Sequence, residues 1–204
     1  MLPIEQLAAG FSADTPRLNL GCGRNPLAGW INLDRVAGPG IDIVADLERC
    51  REQPLPLAES SIGGFLLSHV IEHIADTLGL MAELHRIARP GAMAAIHVPY
   101  GASDDAWEDP THVRPYFLGS WGYFSQPYYW RADYGYRGDW APQRVHLVVD
   151  EASCSGLPPD QVLRRIHGER NIVKEMIAFL TAVKPIRAPL RELQVAPRIT
   201  VQPA

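Results

Sequence analysis

Three short stretches of this 204-residue chain carry residues whose types and spacing suit chemistry. In the first, Gly21-Cys22-Gly23 follows the apolar run 17–20, and Asp34 closes a second apolar run eleven residues beyond Gly23. Glycine lets a backbone bend sharply and lets a ligand approach without meeting a Cβ, while a carboxylate after the neighbouring strand can accept hydrogen bonds from both hydroxyls of a ribose. A nicotinamide dinucleotide would want a third glycine where Pro26 stands, and a helix N-terminus for its pyrophosphate. A phosphate loop would want Lys-Ser or Lys-Thr after the glycines, and the chain has neither there. The pattern points to a nucleoside without phosphates.

The second stretch is "HVIEH" (69–73) and the third is "DPTH" (109–112). His-x-x-Glu-His is the pattern of inverted zinc peptidases, whose chemistry needs both histidines on one helical face and Glu72 activating a zinc-bound water. Here "FLLS" before His69 reads as a strand, which leaves His69 at a strand end and His73 near the start of a helix. A zinc hydrolase is therefore kept as an alternative, and no metal is assigned.

Elements that could position these groups follow from apolar patterning. Runs 17–20, 31–34, 42–46, 65–69 and 92–99 are continuous rather than alternating, as strands covered on both faces are. Thr77, Leu80, Met81, Leu84, Ile87 and Ala88 recur at helical steps, with Asp76 placed to cap and Pro90-Gly91 placed to stop. The link from Gly23 to Trp30 is too short for an ordinary crossover helix and contains Pro26 and Gly29. Run 144–149 reads as a late strand, 176–183 as either strand or short helix, and a Pro-punctuated tail closes the chain.

Composition bounds the rest. With 47% hydrophobic and 21% charged residues the chain suits one globular domain, spanning 1–204. A net charge of −4 and the acidic segment 104–109 disfavour nucleic acid as partner. Three widely spaced cysteines and no apolar run of membrane-spanning length point to a cytoplasmic protein with no membrane partner.

"LNLGCG", "INLD", "DIVADLE", "LPLAESSIGGFLLSHVIEHI", "ELHRIARPGAMAAIHVP" and "DPTH", in that order, resemble the class I S-adenosylmethionine-dependent methyltransferases, in particular their small type-11-like group. The likeness runs from residue 17 to about 115, with "LTAVKP" (180–185) in keeping. It implies an α/β, Rossmann-like class I methyltransferase fold: a mostly parallel central sheet, helices on both faces, and an aromatic-rich insertion after the fifth strand. It also implies S-adenosyl-L-methionine as cofactor, with Gly21, Cys22 and Gly23 lining its methionine part and Asp34 on the ribose. Asp46 would meet the adenine amino group, the Leu47 amide a ring nitrogen, and Ser68 and His69 would flank the methionine. The sequence departs from the family in its shortened link after Gly23 and in Gly63-Gly64, where the family usually has Phe-Asp.

If the chain transfers a methyl group, its task is to hold a nucleophile in line with the methyl, and a hydroxyl acceptor must also lose a proton. Histidine suits that near neutral pH. His73 and His112 are the candidates, with Asp109 orienting His112; the alternative is that Asp109-Pro110 makes only a turn. His85 reads as a surface residue, and His97, His146 and His167 have no visible partner. Residues 100–143 read as a substrate-side insertion or lid, since four of five tryptophans and six of seven tyrosines lie between 107 and 140. Such a segment could wall a small-molecule or glycan-like acceptor, or pack a small core or a homodimer contact. The expected reaction is methyl transfer to oxygen or nitrogen; a cofactor-binding module without turnover is the other reading that keeps the fold. No Asn/Asp-Pro-Pro-aromatic tetrapeptide follows strand four, where "SHVI" stands, so methylation of nucleic-acid bases is the weakest of the readings.

Overall fold

The computed structural model describes residues 4–203 and builds them around one eight-stranded sheet of order β3-β2-β1-β4-β5-β7-β6-β8. The strands are β1 (Arg17–Leu20), β2 (Ile31–Asp34), β3 (Ile43–Val44), β4 (Ile62–Ser68), β5 (Ala88–Pro99), β6 (Trp140–Val149), β7 (Val173–Ala182) and β8 (Arg198–Pro203). The first five pair in parallel, β7 lies antiparallel between β5 and β6, and β8 pairs with β6 in parallel. Helices are α1 (Ile4–Ala8), α2 (Thr77–Ile87), α3 (Asp105–Glu108), α4 (Glu151–Cys154) and α5 (Pro159–Gly168).

Alternation along the central strands divides the core. Phe65, Leu67, Ala94, Ile96 and Ala178 belong to the large apolar cluster with α2 and most of the aromatic segment, whereas Leu66, Ala95 and Ile177 meet Leu7, Phe11 and Trp30 on the other side. Helix α2 forms where the periodicity predicts it, capped by Asp76 Oδ1 accepting from the Gly79 amide at 2.9 Å. It ends at Ile87; Pro90-Gly91 then fall inside the irregular start of β5, where the register with β4 shifts.

Several expectations change. The run 42–46 is a strand only at Ile43–Val44, 176–183 belongs to a strand beginning at Val173, and the tail supplies β8. His85 is buried rather than on the surface, its ring Nε2 3.0 Å from the Val183 carbonyl oxygen. His97 is fully buried with Glu175 beside it, and His146 bonds Thr200 and Gln202. Much of the aromatic stretch is core: Trp121 and Tyr116 stack at 5.2 Å, and Tyr136 and Trp140 are as deeply buried.

The short β1–β2 link has no helix, and side-chain amides hold its backbone instead. Asn32 Oδ1 accepts from Asn19 Nδ2 (3.0 Å) and from the Leu27 amide (2.8 Å), while Asn32 Nδ2 donates to the Leu27 and Trp30 carbonyls. Buried backbone groups must find partners, and here two nearly buried asparagines provide them. Gly63 and Gly64 have a packing cause too: a Cβ on Gly63 would meet Thr15 Oγ1 at 2.1 Å, and one on Gly64 would meet Phe11 at 2.6 Å. Both sit at the amino end of β4, away from Ser68 at its carboxyl end, so their absent side chains admit the N-terminal segment.

Candidate active site

The carboxyl ends of β1, β2 and β4 converge on two adjoining cavities that share Gly21 and His69. The smaller, about 480 Å³, is lined by Gly21, Cys22, Gly23, Asn25, Ser68 and His69. The larger, about 630 Å³, is lined by Asp34, Asp46, Leu47, His73 and Thr111 among others. A cavity of about 860 Å³ near Trp107, Phe117 and His167 is bigger still, but it contains none of these residues; strand ends, not volume, mark the site.

Backbone geometry explains the glycines. Gly21 has φ +58°, and a Cβ there would come within 2.7 Å of Val70 Cγ2. Gly23 has φ +53°, and a Cβ would meet nothing within 4 Å, so its α-carbon faces open space that a ligand can enter. Asp34 Oδ2 accepts from the Gly23 amide at 2.8 Å and Oδ1 from the Val36 amide at 3.0 Å. A carboxylate offers about four acceptor positions, so each oxygen keeps capacity for a diol. The Cys22 thiol is buried; burial first and the Asp34 charge second push its pKa up, so it is a neutral wall and not a nucleophile.

Residues 18–96 match the family model described as a methyltransferase domain. That stretch is a methyltransferase domain, and the chain has the Rossmann-like fold of S-adenosylmethionine-dependent methyltransferases. Solved structures similar to this methyltransferase include an S-adenosylmethionine-dependent methyltransferase from Archaeoglobus fulgidus, at 14% identity and TM-score 0.61, covering 86% of this chain and 90% of that one. YcgJ from Bacillus subtilis follows at 13% identity and TM-score 0.54, covering 88% and 96% of the two chains. A protein from Thermotoga maritima described as a possible histamine N-methyltransferase has 14% identity and TM-score 0.54, covering 88% and 87%. No curated protein sequence matches the chain. At these identities the structures speak for the shared fold.

The cofactor of the methyltransferase is S-adenosylmethionine, and the residues present fit it: an open glycine bend, a carboxylate with spare acceptor capacity at the next strand end, and two adjoining cavities that share Gly21 and His69. All eight residues expected at the cofactor line one cavity or the other. Of the three expected on the acceptor side, His73 lines the larger cavity, with Asp109 and His112 joined to it through hydrogen bonds and ring contact.

That acceptor-side group is built by docking residues 109–113 onto the turn Ile71–His73, where the Val113 amide donates to the Glu72 carbonyl at 2.9 Å. The His73 and His112 ring centroids are 4.8 Å apart. Thr111 Oγ1 donates to Asp109 Oδ1 at 2.6 Å; its one proton is then used, so at 3.0 Å it accepts from His73 Nδ1. His112 Nδ1 donates to the Ala106 carbonyl at 3.2 Å. Both rings thus carry the proton on Nδ1, and His112 Nε2 stands 3.9 Å from Asp109 Oδ2. The Thr111 hydroxyl, then its amide, hold the Asp109 carboxyl below the usual range.

"HVIEH" does not form the inverted zinc-peptidase arrangement. His69 takes φ +54° just past β4 and contacts His97, while His73 sits in the next turn beside His112. Sequence reasoning gave no role to Thr111, His97 or Glu175, and weighed Glu72 only as the base of a zinc peptidase. Thr111 stood in plain view within "DPTH"; Glu175 reaches His97 only because β5 and β7 pair antiparallel, with its Oε2 3.2 Å from His97 Nε2.

Proposed function

We propose that the methyltransferase acts on an oxygen or nitrogen of a small-molecule or glycan-like acceptor, bound against His73 and Thr111. The carrying observation is the hydrogen-bonded series Asp109–Thr111–His73, which ends on a wall of the same cavity as Asp34 and Asp46. In this reading Gly21, Cys22, Gly23, Ser68 and His69 hold the methionine part, Asp34 the ribose diol, and Asp46 with Leu47 the adenine. When bound, S-adenosylmethionine supplies an activated methyl on a sulfonium leaving group. His73 and His112 assist loss of the acceptor's proton, Asp109 and Thr111 fix the His73 tautomer, and residues 100–143 form the acceptor side of one domain. Three free cysteines, two of them buried, support a reducing, cytoplasmic setting. No described helix is long and apolar enough to cross a membrane.

Transfer of labelled methyl groups across a panel of hydroxyl and amine acceptors tests this. Thr111→Val should lower kcat about tenfold for a hydroxyl acceptor, less than the roughly 10²- to 10⁴-fold worth of a general base because Thr111 acts only through His73, with little change in cofactor KM. It should also move the acid limb of the pH–rate profile, which a merely structural role would not do. Equal kcat and pH profile in wild type and Thr111→Val would remove the positioning role.

A further inference from the structure

Glu72 is a carboxylate with almost no exposure, and neither of its oxygens has a hydrogen-bond partner among the described residues. His69 Nδ1 lies 3.3 Å from Oε1 but outside hydrogen-bonding geometry. A buried, unsatisfied carboxylate is costly, by several kcal/mol on general grounds, unless a cation meets it. Two imidazoles stand beside it: one donor atom each from Glu72, His73 and His112 all lie within 4.8 Å of one another.

The tautomers already described complete the pattern. His73 gives its Nδ1 proton to Thr111, itself anchored on Asp109, and His112 gives its own to the Ala106 carbonyl. Histidines that ligate metals through Nε2 characteristically donate the other ring proton to such partners, which fixes their orientation. We infer that Glu72, His73 and His112 form a binding site for a divalent transition-metal ion of the zinc class, with its remaining coordination positions toward the larger cavity.

Tetrahedral bonds of about 2.1 Å place ligand atoms about 3.4 Å apart, so the three donors close by roughly an ångström around the ion. Two nitrogens and one carboxylate favour zinc-like ions over magnesium, which prefers an all-oxygen shell. The site is not the one "HVIEH" suggests by spacing: Glu72 is a ligand and His69 is not. A second trio, His69, His97 and Glu175, is a weaker candidate because His97 and Glu175 already face each other at 3.2 Å.

What the ion does rests on the proposed reaction: held by His73 and His112, it would take an acceptor oxygen as a further ligand and acidify its hydroxyl, whose proton passes to solvent, so that the two histidines assist loss of the proton through the ion. Binding itself does not rest on that reading, and it is measured without cofactor or acceptor. After chelator treatment and dialysis, titration calorimetry with zinc should give one site per chain at micromolar affinity or tighter, and magnesium should give none. Glu72→Gln and His112→Asn should each weaken zinc at least tenfold while keeping the far-ultraviolet circular dichroism and S-adenosylhomocysteine affinity of wild type. His97→Ala should leave the stoichiometry at one. Absence of stoichiometric zinc binding, zinc affinity unchanged in both folded variants, or loss of the site in His97→Ala would each overturn the inference. A positive titration with no methyl transfer to any acceptor would leave the metal site standing and remove only the reaction assigned to it.

Discussion

The Gly23 amide donates to Asp34 Oδ2 at 2.8 Å, tying the bend after β1 to the carboxyl end of β2. One carboxylate thus shapes the glycine turn, and in the proposed reading it also holds the ribose. Asp34→Ala removes both functions, and loss of hydrogen bonds to a charged group is worth about 2–3 kcal/mol. S-adenosylhomocysteine affinity, measured by calorimetry, should fall roughly 30- to 150-fold. Affinity within threefold of wild type would remove Asp34 from the cofactor site.

Asn32 ties down the backbone of the short β1–β2 link. Its side chain is nearly buried and bonds Asn19, Leu27 and Trp30. Asn32→Ala strands the Leu27 amide, at about 1–3 kcal/mol, and takes one of the two acceptors of Asn19 Nδ2, which keeps the Asn25 carbonyl. Urea unfolding should report a loss of about 2–4 kcal/mol. Asn32→Ser, which keeps one acceptor, should lose less; equal losses would mean that packing and not hydrogen bonding is what the asparagine supplies.

The strand ends that carry the cofactor-side candidates were legible in the sequence: Gly21 follows β1, Asp34 closes β2, and Ser68 closes β4 with His69 just beyond it. Local patterning locates strand ends, and the fold brings those ends together. Glu175 and His97 are 78 residues apart in the chain and meet through pairing that no local pattern encodes. β8 was hidden because prolines punctuate the tail around it, and an edge strand tolerates proline where a central one does not. His85 looked like a surface residue since its helix position says nothing of the chain end that folds over it, bringing the Val183 carbonyl to its ring.

That burial gives His85 a signature in pH. Desolvation, only partly offset by the Val183 carbonyl, lowers its pKa from the ordinary 6.5. In the unfolded chain the ring takes up its proton near pH 6.5, and in the folded chain it does so only at lower pH. The unfolded state therefore binds more protons in that window, and stability falls as pH drops from about 7 through the folded-state pKa. Urea midpoints at pH 7.5 and 5.5 measure the slope. His85→Gln keeps a donor for Val183 without titrating, so its stability should fall less between the two pH values. An unchanged slope would place the acid sensitivity on other groups.

Asp139 has no exposure at all, and Arg187 meets both of its oxygens at 2.8 Å from Nε and Nη2. The same carboxylate accepts from the Ser125 hydroxyl and the Gln126 amide, so one buried pair pins the aromatic segment to the tail beyond β7. Removing one partner of a buried pair leaves an uncompensated charge and costs about 3–5 kcal/mol, whereas replacing both can be nearly neutral. Arg187 keeps about a fifth of its side-chain surface exposed, so water softens the loss and the lower figure applies. Arg187→Met should therefore cost about 3 kcal/mol in urea unfolding. Asp139→Asn combined with Arg187→Met should recover part of that loss, because the amide can still accept from Ser125 and Gln126 without a buried charge. If the double variant is no more stable than Arg187→Met alone, the cost lies in lost packing around the guanidinium and not in the stranded carboxylate.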